Sequence, residues 1–148
     1  MYEVTEALIC EIPVITKLCK AFEQATEHVE VDIDHSVASY TSFIKNGIGA
    51  MLLLKHAGTI IGGLGCLKYP DLHSGKLTAV ETFWFVTPDH RGRGLMLLDA
   101  FESWGKRHGC KKLAMVHMVD SYPGILEKLY IRKGYKLIEK HYVKEVGE

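Results

Sequence analysis

The sequence predicts an α/β fold, a mixed sheet flanked by about four helices, in one domain spanning residues 1–148. Three observations lead there. Apolar residues recur at helical spacing in four segments and form strand-like runs between them. A helix between two such runs, from Gly94 to Gly109, implies a parallel strand pair. The 148 residues, 47% of them apolar, suit one sizeable core, and no repeat, linker or low-complexity segment divides them.

Residues 5–9 read as the first strand. Pro13 suits the first turn of a helix, and Ile15, Leu18, Cys19 and Phe22 carry it to about Glu27. Glu27, Glu30, Asp32 and Asp34 follow, read first as a solvated loop and alternatively as a rim that attracts a cationic amine. Asp34 or Ser36 caps a second helix through Val37, Tyr40, Phe43 and Ile44, and Asn46-Gly47 ends it. Residues 50–55 and 60–69 form a hairpin across His56-Ala57-Gly58-Thr59. Gly62, Gly63 and Gly65 have no helix after them, so they read as close packing within a strand.

A loop at 70–75, with His73 near its tip, leads to a strand at 76–86. The helix after that strand carries Leu97, Phe101, Trp104 and His108 on one stripe, and Gly109 stops it. Residues 112–117 form a short, buried-looking strand. Pro123 starts a last helix with Ile125, Leu126, Leu129 and Tyr130, and Gly134 caps it. Residues 135–146 supply a final extended segment that can bend into two short strands.

Composition narrows the function. Basic and acidic residues balance at 18 each, which disfavours a nucleic-acid partner and makes any basic site local. No apolar run approaches a membrane span, and the first residues lack the pattern of a secretory signal, so a cytoplasmic location without membrane contact is expected. Cys10, Cys19, Cys66 and Cys110 are far apart and mostly have apolar neighbours. They read as small buried residues in a reducing compartment, not as disulfides or metal ligands. No metal is expected.

The stretch with most chemical content is Phe83-Trp84-Phe85-Val86-Thr87-Pro88-Asp89-His90-Arg91-Gly92-Arg93-Gly94-Leu95-Met96-Leu97-Leu98. A strand that empties through glycines into a helix N-terminus makes an anion site, because bare N–H groups and the helix dipole point the same way. Two arginines in the turn favour a phosphate-bearing ligand. The P-loop ending is missing. The dinucleotide pattern fails too, with Leu97 at its third glycine, and it would need more alternating units than this chain holds. Arg91-Gly92-Arg93-Gly94-Leu95-Met96 matches a third pattern, Q/R-x-x-G-x-G/A, at all but its last position.

With these residues the sequence resembles the GNAT superfamily of N-acetyltransferases. Val86-Thr87-Pro88-Asp89-His90-Arg91-Gly92-Arg93-Gly94 is similar to its strand–loop–helix signature. Leu129-Tyr130-Ile131-Arg132-Lys133-Gly134-Tyr135 is similar to its late Leu-Tyr-x-x-x-Gly-Phe/Tyr segment. The order of helices and strands agrees over nearly the whole chain. The compact length and the Phe-Trp-Phe-Val strand also resemble short phage-encoded members, for which the location would be the host cytoplasm. Met96 replaces the usual small residue, Pro123 stands about where the family often has Asn, and the C-terminus is short.

The resemblance implies a GNAT-like sheet with a central splayed parallel pair. It also implies acetyl-CoA as donor and direct transfer to a primary amine, on a small molecule or a protein, in a ternary complex. Backbone N–H groups of Arg91, Gly92, Arg93, Gly94, Leu95 and Met96 would hold the pyrophosphate, with the two arginines adding charge. Trp84, Phe85 and Val86 would bind the pantetheine arm as a pseudo-strand and polarise the thioester carbonyl.

Glu81 is the leading general base, since the family often places an acid on this strand. By strict alternation, however, Glu81 and Val86 face opposite ways unless a bulge intervenes, and an exposed strand glutamate is the plain alternative. His117 is the second candidate and His73 a third. Tyr130 holds the family's Tyr position, which implies proton donation to the leaving thiolate. The competing reading is a noncatalytic CoA-binding or structural protein on the same fold. An exposed sheet edge at a shortened C-terminus leaves room for a homodimer.

Overall fold

Five apolar runs pair into one sheet in the order β1-β2-β3-β4-β5. The strands are β1 (Tyr2–Glu6), β2 (Gly49–His56), β3 (Thr59–Pro70), β4 (Leu77–Val86) and β5 (Lys112–Ala114). The first four are antiparallel neighbours, and β4 and β5 are parallel. The helices are α1 (Ile12–Ala21), α2 (Ile33–Lys45), α3 (Leu95–Arg107) and α4 (Ile125–Arg132). The computed structural model describes residues 1–21, 30–117 and 124–147. The chain divides into two compact units, Met1–Val116 and His117–Glu148.

In the first unit the sheet is covered on both faces. Ile12 and Ile15 of α1 form a buried cluster with Met51 and Leu53 of β2, joined by Val37, Tyr40 and Ile44 of α2 and by Phe83 of β4. α3 covers the other face, where Leu97, Leu98, Phe101 and Trp104 are buried and Gly105 lies close to Ala79 and Leu113. The α3 stripe is therefore the expected one, except that His108 is the C-cap. Its imidazole bonds Lys68 Nζ at 2.9 Å and meets Trp104 at 4.6 Å. Partial burial, and then the Lys68 charge, hold His108 below the usual histidine range.

The β2–β3 hairpin turns through Ala57 and Gly58, both at positive φ, +50° and +82°. Two left-handed residues match the natural twist of a two-residue hairpin.

Several expectations are corrected. The first strand is Tyr2–Glu6, not 5–9. After Ala7 the Glu11 carboxylate accepts the Leu8 N–H at 3.0 Å, and Ile9–Glu11 form a 3-10 helix instead of prolonging the strand. The α2 cap is Asp32, whose Oδ1 accepts the His35 N–H at 2.9 Å, not Asp34 or Ser36. Asp32 is thereby spent on the helix end. Cys10 is exposed, unlike Cys66, which is buried, and Cys19 and Cys110, which are half-buried. The expected continuation of the first helix to Glu27, and Pro123, lie outside the described residues.

In the second unit, Gly134 at φ +92° follows α4 as expected. No strand is assigned between 135 and 147, where Leu137, Ile138, Tyr142, Val143 and Val146 are strongly exposed. An extended segment becomes a strand only by pairing.

Candidate functional site

The site grows from β4, which carries two departures from a regular strand. The first is a bulge. Glu81 lies opposite Cys66 and Phe83 opposite Gly65, so Thr82 is an extra residue in the ladder. One extra residue reverses the facing of every later side chain in the strand. Thr82 and Phe83 both turn toward α1 and α2, where Thr82 bonds Tyr40 and Phe83 joins the core cluster. Trp84 and Val86 turn toward α3 and approach Gly94. Glu81, two positions beyond Ala79, shares that α3 face. The parity objection to Glu81 is thus removed.

The exposed-glutamate alternative fails as well, because Glu81 is only 6% exposed. Burial pushes its carboxyl up to about 8, and a hydrogen bond from the backbone of Val116 draws it partly back. Carboxyls perturbed in this way by burial cluster at functional sites, which keeps Glu81 a candidate for proton transfer.

The second departure is the end of the β5 ladder. β5 pairs with β4 only at Thr78, Ala79 and Val80, well before β4 itself ends at Val86. The expected strand at 112–117 is therefore shortened to Lys112–Ala114. The parallel ladder stops two positions before Thr82, the extra residue of the bulge. The two strands part from one another's ladder beyond Val80, as the expected splay requires, but among the described residues the parallel pair lies at the edge of the sheet and not at its centre.

At its far end β4 passes through Thr87 into a 3-10 helix, Pro88–Arg93, and then into α3. The turn is tighter and more regular than an irregular glycine loop. Thr87 N–H bonds Ile61 O at 2.9 Å and anchors its start. Gly94 N–H is engaged with Arg91 O at 3.2 Å. A Cβ placed on Gly92 would meet nothing within 4 Å, so the outer surface of the turn is open there. Leu95 is 44% exposed, and Met96, the departure from the motif, is accommodated half-buried.

The arginines are used differently from the sequence expectation. Arg91 folds back, its Nε donating to Val86 O at 3.4 Å. Arg93 lies over the ring of Tyr2, 4.5 Å from its centroid. Tyr2 also hydrogen-bonds His90 Nδ1 at 2.9 Å and stacks on His56 at 4.4 Å. The first residue of β1 therefore grips two side chains of the turn. Partial burial, followed by nearby positive charge including His90 and Arg93, holds His56 below the usual histidine range. Nothing local in the sequence links Tyr2 to a turn 88 residues away.

The remaining candidates belong to the second unit. His117 and Tyr130 meet edge-on with ring centroids 6.4 Å apart, and Tyr135 lies 5.8 Å from Tyr130. Tyr130 is the buried residue of α4. Glu81, Trp84, Phe85, Val86 and residues 91–96 thus share one continuous strand–turn–helix in the first unit, and His117 and Tyr130 share a ring cluster in the second. His73 lies in a turn where its N–H bonds Asp71 Oδ1 at 2.9 Å. Of the expected acidic rim, Glu30, Asp32 and Asp34 line an open depression at the start of α2 together with Lys20, whose charge offsets one of theirs. Glu27 lies outside the described residues.

A bulged strand, a splayed parallel partner and an arginine–glycine turn at a helix N-terminus are now joined by a match of residues 15–132 to the Acetyltransferase (GNAT) family. The chain belongs to the GNAT acetyltransferase family. No curated protein matches the sequence.

Solved structures share the fold. The ribosomal-protein-alanine N-acetyltransferase from Brucella melitensis biovar Abortus 2308 is 17% identical with a TM-score of 0.75, covering 99% of this chain and 100% of that one. The aminoglycoside N-acetyltransferase AAC(6')-Iy, solved in complex with CoA, is 18% identical with a TM-score of 0.77, covering 99% and 95%. A protein described as a transcriptional regulator from Bacillus halodurans C-125 is 15% identical with a TM-score of 0.79, covering 99% and 100%. Among the described residues, no helix is long and apolar enough to cross a membrane.

Proposed function

We propose that this GNAT protein is an acetyl-CoA-dependent N-acetyltransferase that acts on a primary amine by direct attack in a ternary complex. The observation that carries the reading is the geometry of β4. Its ladder to β5 ends at Val80, its bulge carries a buried carboxyl, and its last residues lead straight into the turn. The family match from 15 to 132 runs through both units, which supports treating the chain as one acetyltransferase domain.

Residues 91–96 hold the pyrophosphate chiefly through N–H groups of the first turn of α3, since both arginine side chains already have partners and the Gly94 N–H is bonded within the 3-10 turn. Trp84, Phe85 and Val86 present β4 backbone to the pantetheine arm. A backbone N–H in that segment stabilises the developing negative oxygen of the thioester carbonyl, a contribution of about 3 kcal/mol to the barrier.

Glu81, directly or through a water, removes a proton from the acceptor ammonium. A carboxyl near 8 is matched to that task at neutral pH once it is ionised. The amine nitrogen then bonds to the acetyl carbon, the carbon–sulfur bond breaks, and Tyr130 gives its phenol proton to the departing thiolate. The second nitrogen proton passes to solvent, which also restores the phenol proton of Tyr130. His117, beside Tyr130, is the alternative base.

The acceptor is a primary amine on a small molecule or a protein, in a cytoplasmic setting. Acetyl-CoA turnover against polyamines, amino acids, aminoglycosides and peptide amines, run beside calorimetric CoA binding, tests the reading. Turnover with at least one amine is expected. CoA binding without turnover across the panel would favour the noncatalytic alternative. Tyr130→Phe should lower kcat about a hundredfold, the lower end of the loss for a removed proton donor, and leave CoA affinity unchanged. An unaltered kcat, with chemistry shown to limit the rate, removes Tyr130 from this role.

A further inference from the structure

The bulge in β4 is gripped from α2. Thr82 has no place in the β3 ladder, so its position depends on side-chain contacts. The Tyr40 hydroxyl, from the middle of α2, hydrogen-bonds Thr82 Oγ1. The ring of the same tyrosine meets Phe83 edge-on at 5.8 Å, and Phe43 meets Tyr40 edge-on at 6.1 Å. Phe83 in turn lies over Gly65, where an added Cβ would be 2.5 Å from the Phe83 ring. Tyr40 therefore holds both residues that come after Glu81, one by its hydroxyl and the other by its ring.

Packing alone does not require the hydroxyl, since a phenylalanine would make the same ring contacts. Burial pushes the Tyr40 phenol up to about 12, so it stays protonated at any working pH and can donate to Thr82.

We propose that Tyr40 is a positioning residue, whose bond to Thr82 fixes the bulge that turns Glu81 to the face of Trp84 and Val86 and so ties α2 to the alignment of the base. This rests on the reading of Glu81 as the general base. Tyr40 touches neither donor nor acceptor in this role.

Three variants test it. Tyr40→Phe removes only the hydroxyl, Thr82→Val removes its partner, and Thr82→Ser keeps the partner. In the first two, kcat should fall about fivefold, the equivalent of about 1 kcal/mol, with the acetyl-CoA KM unchanged. Backbone amides of Thr82 and Phe83 should exchange with solvent faster. The double variant should be no worse than either single, because both remove one bond. Thr82→Ser should retain wild-type kcat.

Wild-type exchange in Tyr40→Phe overturns the proposal. So does faster exchange with unchanged kcat, or additive losses in the double variant. If the wild-type protein acetylates no amine, the enzymatic reading falls, and the exchange rates alone decide whether this bond holds the bulge.

Discussion

The two ends of β4 are built on different principles. At its C-terminal end, the turn into α3 is made by residues adjacent in sequence: Pro88 starts a 3-10 helix, Arg91 bonds back to Val86, and Gly94 caps α3. In its middle, the bulge exists because β3 pairs Cys66 with Glu81 and Gly65 with Phe83, and because α2 reaches Thr82. The first is local chemistry and the second is register. The turn can bind an anion wherever a strand and helix present it. The bulge places a carboxyl correctly only while three separate elements agree.

The largest expected effect separates the two regions by function. Glu81→Gln keeps the shape and can still accept the Val116 N–H. It should lower kcat about a hundredfold, the scale of a lost general base, and leave CoA affinity as it was. Steady-state kinetics beside calorimetry measure both. A comparable rise in CoA dissociation constant would mean that the bulge and the turn are one site energetically.

The same substitution has a stability signature. The native Glu81 value of about 8 lies above its ordinary 4.5. Between those values the folded chain keeps a proton that the unfolded chain has released. Stability from this group is therefore complete below about 4.5 and is lost as pH rises toward 8, by at most about 1.4 kcal/mol per pH unit. Urea unfolding across that window should show the loss in the wild type and a flatter profile in Glu81→Gln. A variant that unfolds more easily at pH 8 than the wild type would contradict the burial argument. A residue that reduces stability yet raises turnover is the expected compromise at a working site.

The smallest effect belongs to the turn's remote anchor. Tyr2→Leu removes the bond to His90 and the ring beneath Arg93. CoA should bind about threefold to tenfold more weakly, as expected for losing about 1 kcal/mol of preorganisation, with kcat spared. An unchanged CoA affinity would show that the turn holds its shape by local bonds alone.

Much of the fold and site is legible in the sequence, and the misplaced elements share a cause. The β2–β3 hairpin is readable because Ala57-Gly58 dictates its own turn. The helical stripe of Leu97, Phe101 and Trp104 is readable because periodicity reports one buried face. Residues 84–86 and 91–96 stand together because they are contiguous. The first strand is misplaced because Glu11 folds back on Leu8 and competes with extension. The α2 cap is misplaced because three neighbouring residues, Asp32, Asp34 and Ser36, offer the same side-chain oxygen chemistry, and geometry selects Asp32. The strand at 112–117 reads too long because its length depends on how far its partner pairs with it.

The linear chain alone determined the α/β class, the strand–turn–helix and the family, since each is written in residues a few positions apart. Tertiary structure decided which way Glu81 faces, how deeply it is buried, and what Arg91 and Arg93 hold. Those outcomes depend on partners brought from elsewhere: Cys66 and Gly65 across the ladder, Thr82 bonded to Tyr40 across 42 positions, and Tyr2 to His90 across 88. A strand's side-chain alternation is set by its own backbone, but an interruption in it is set by the neighbour it must pair with.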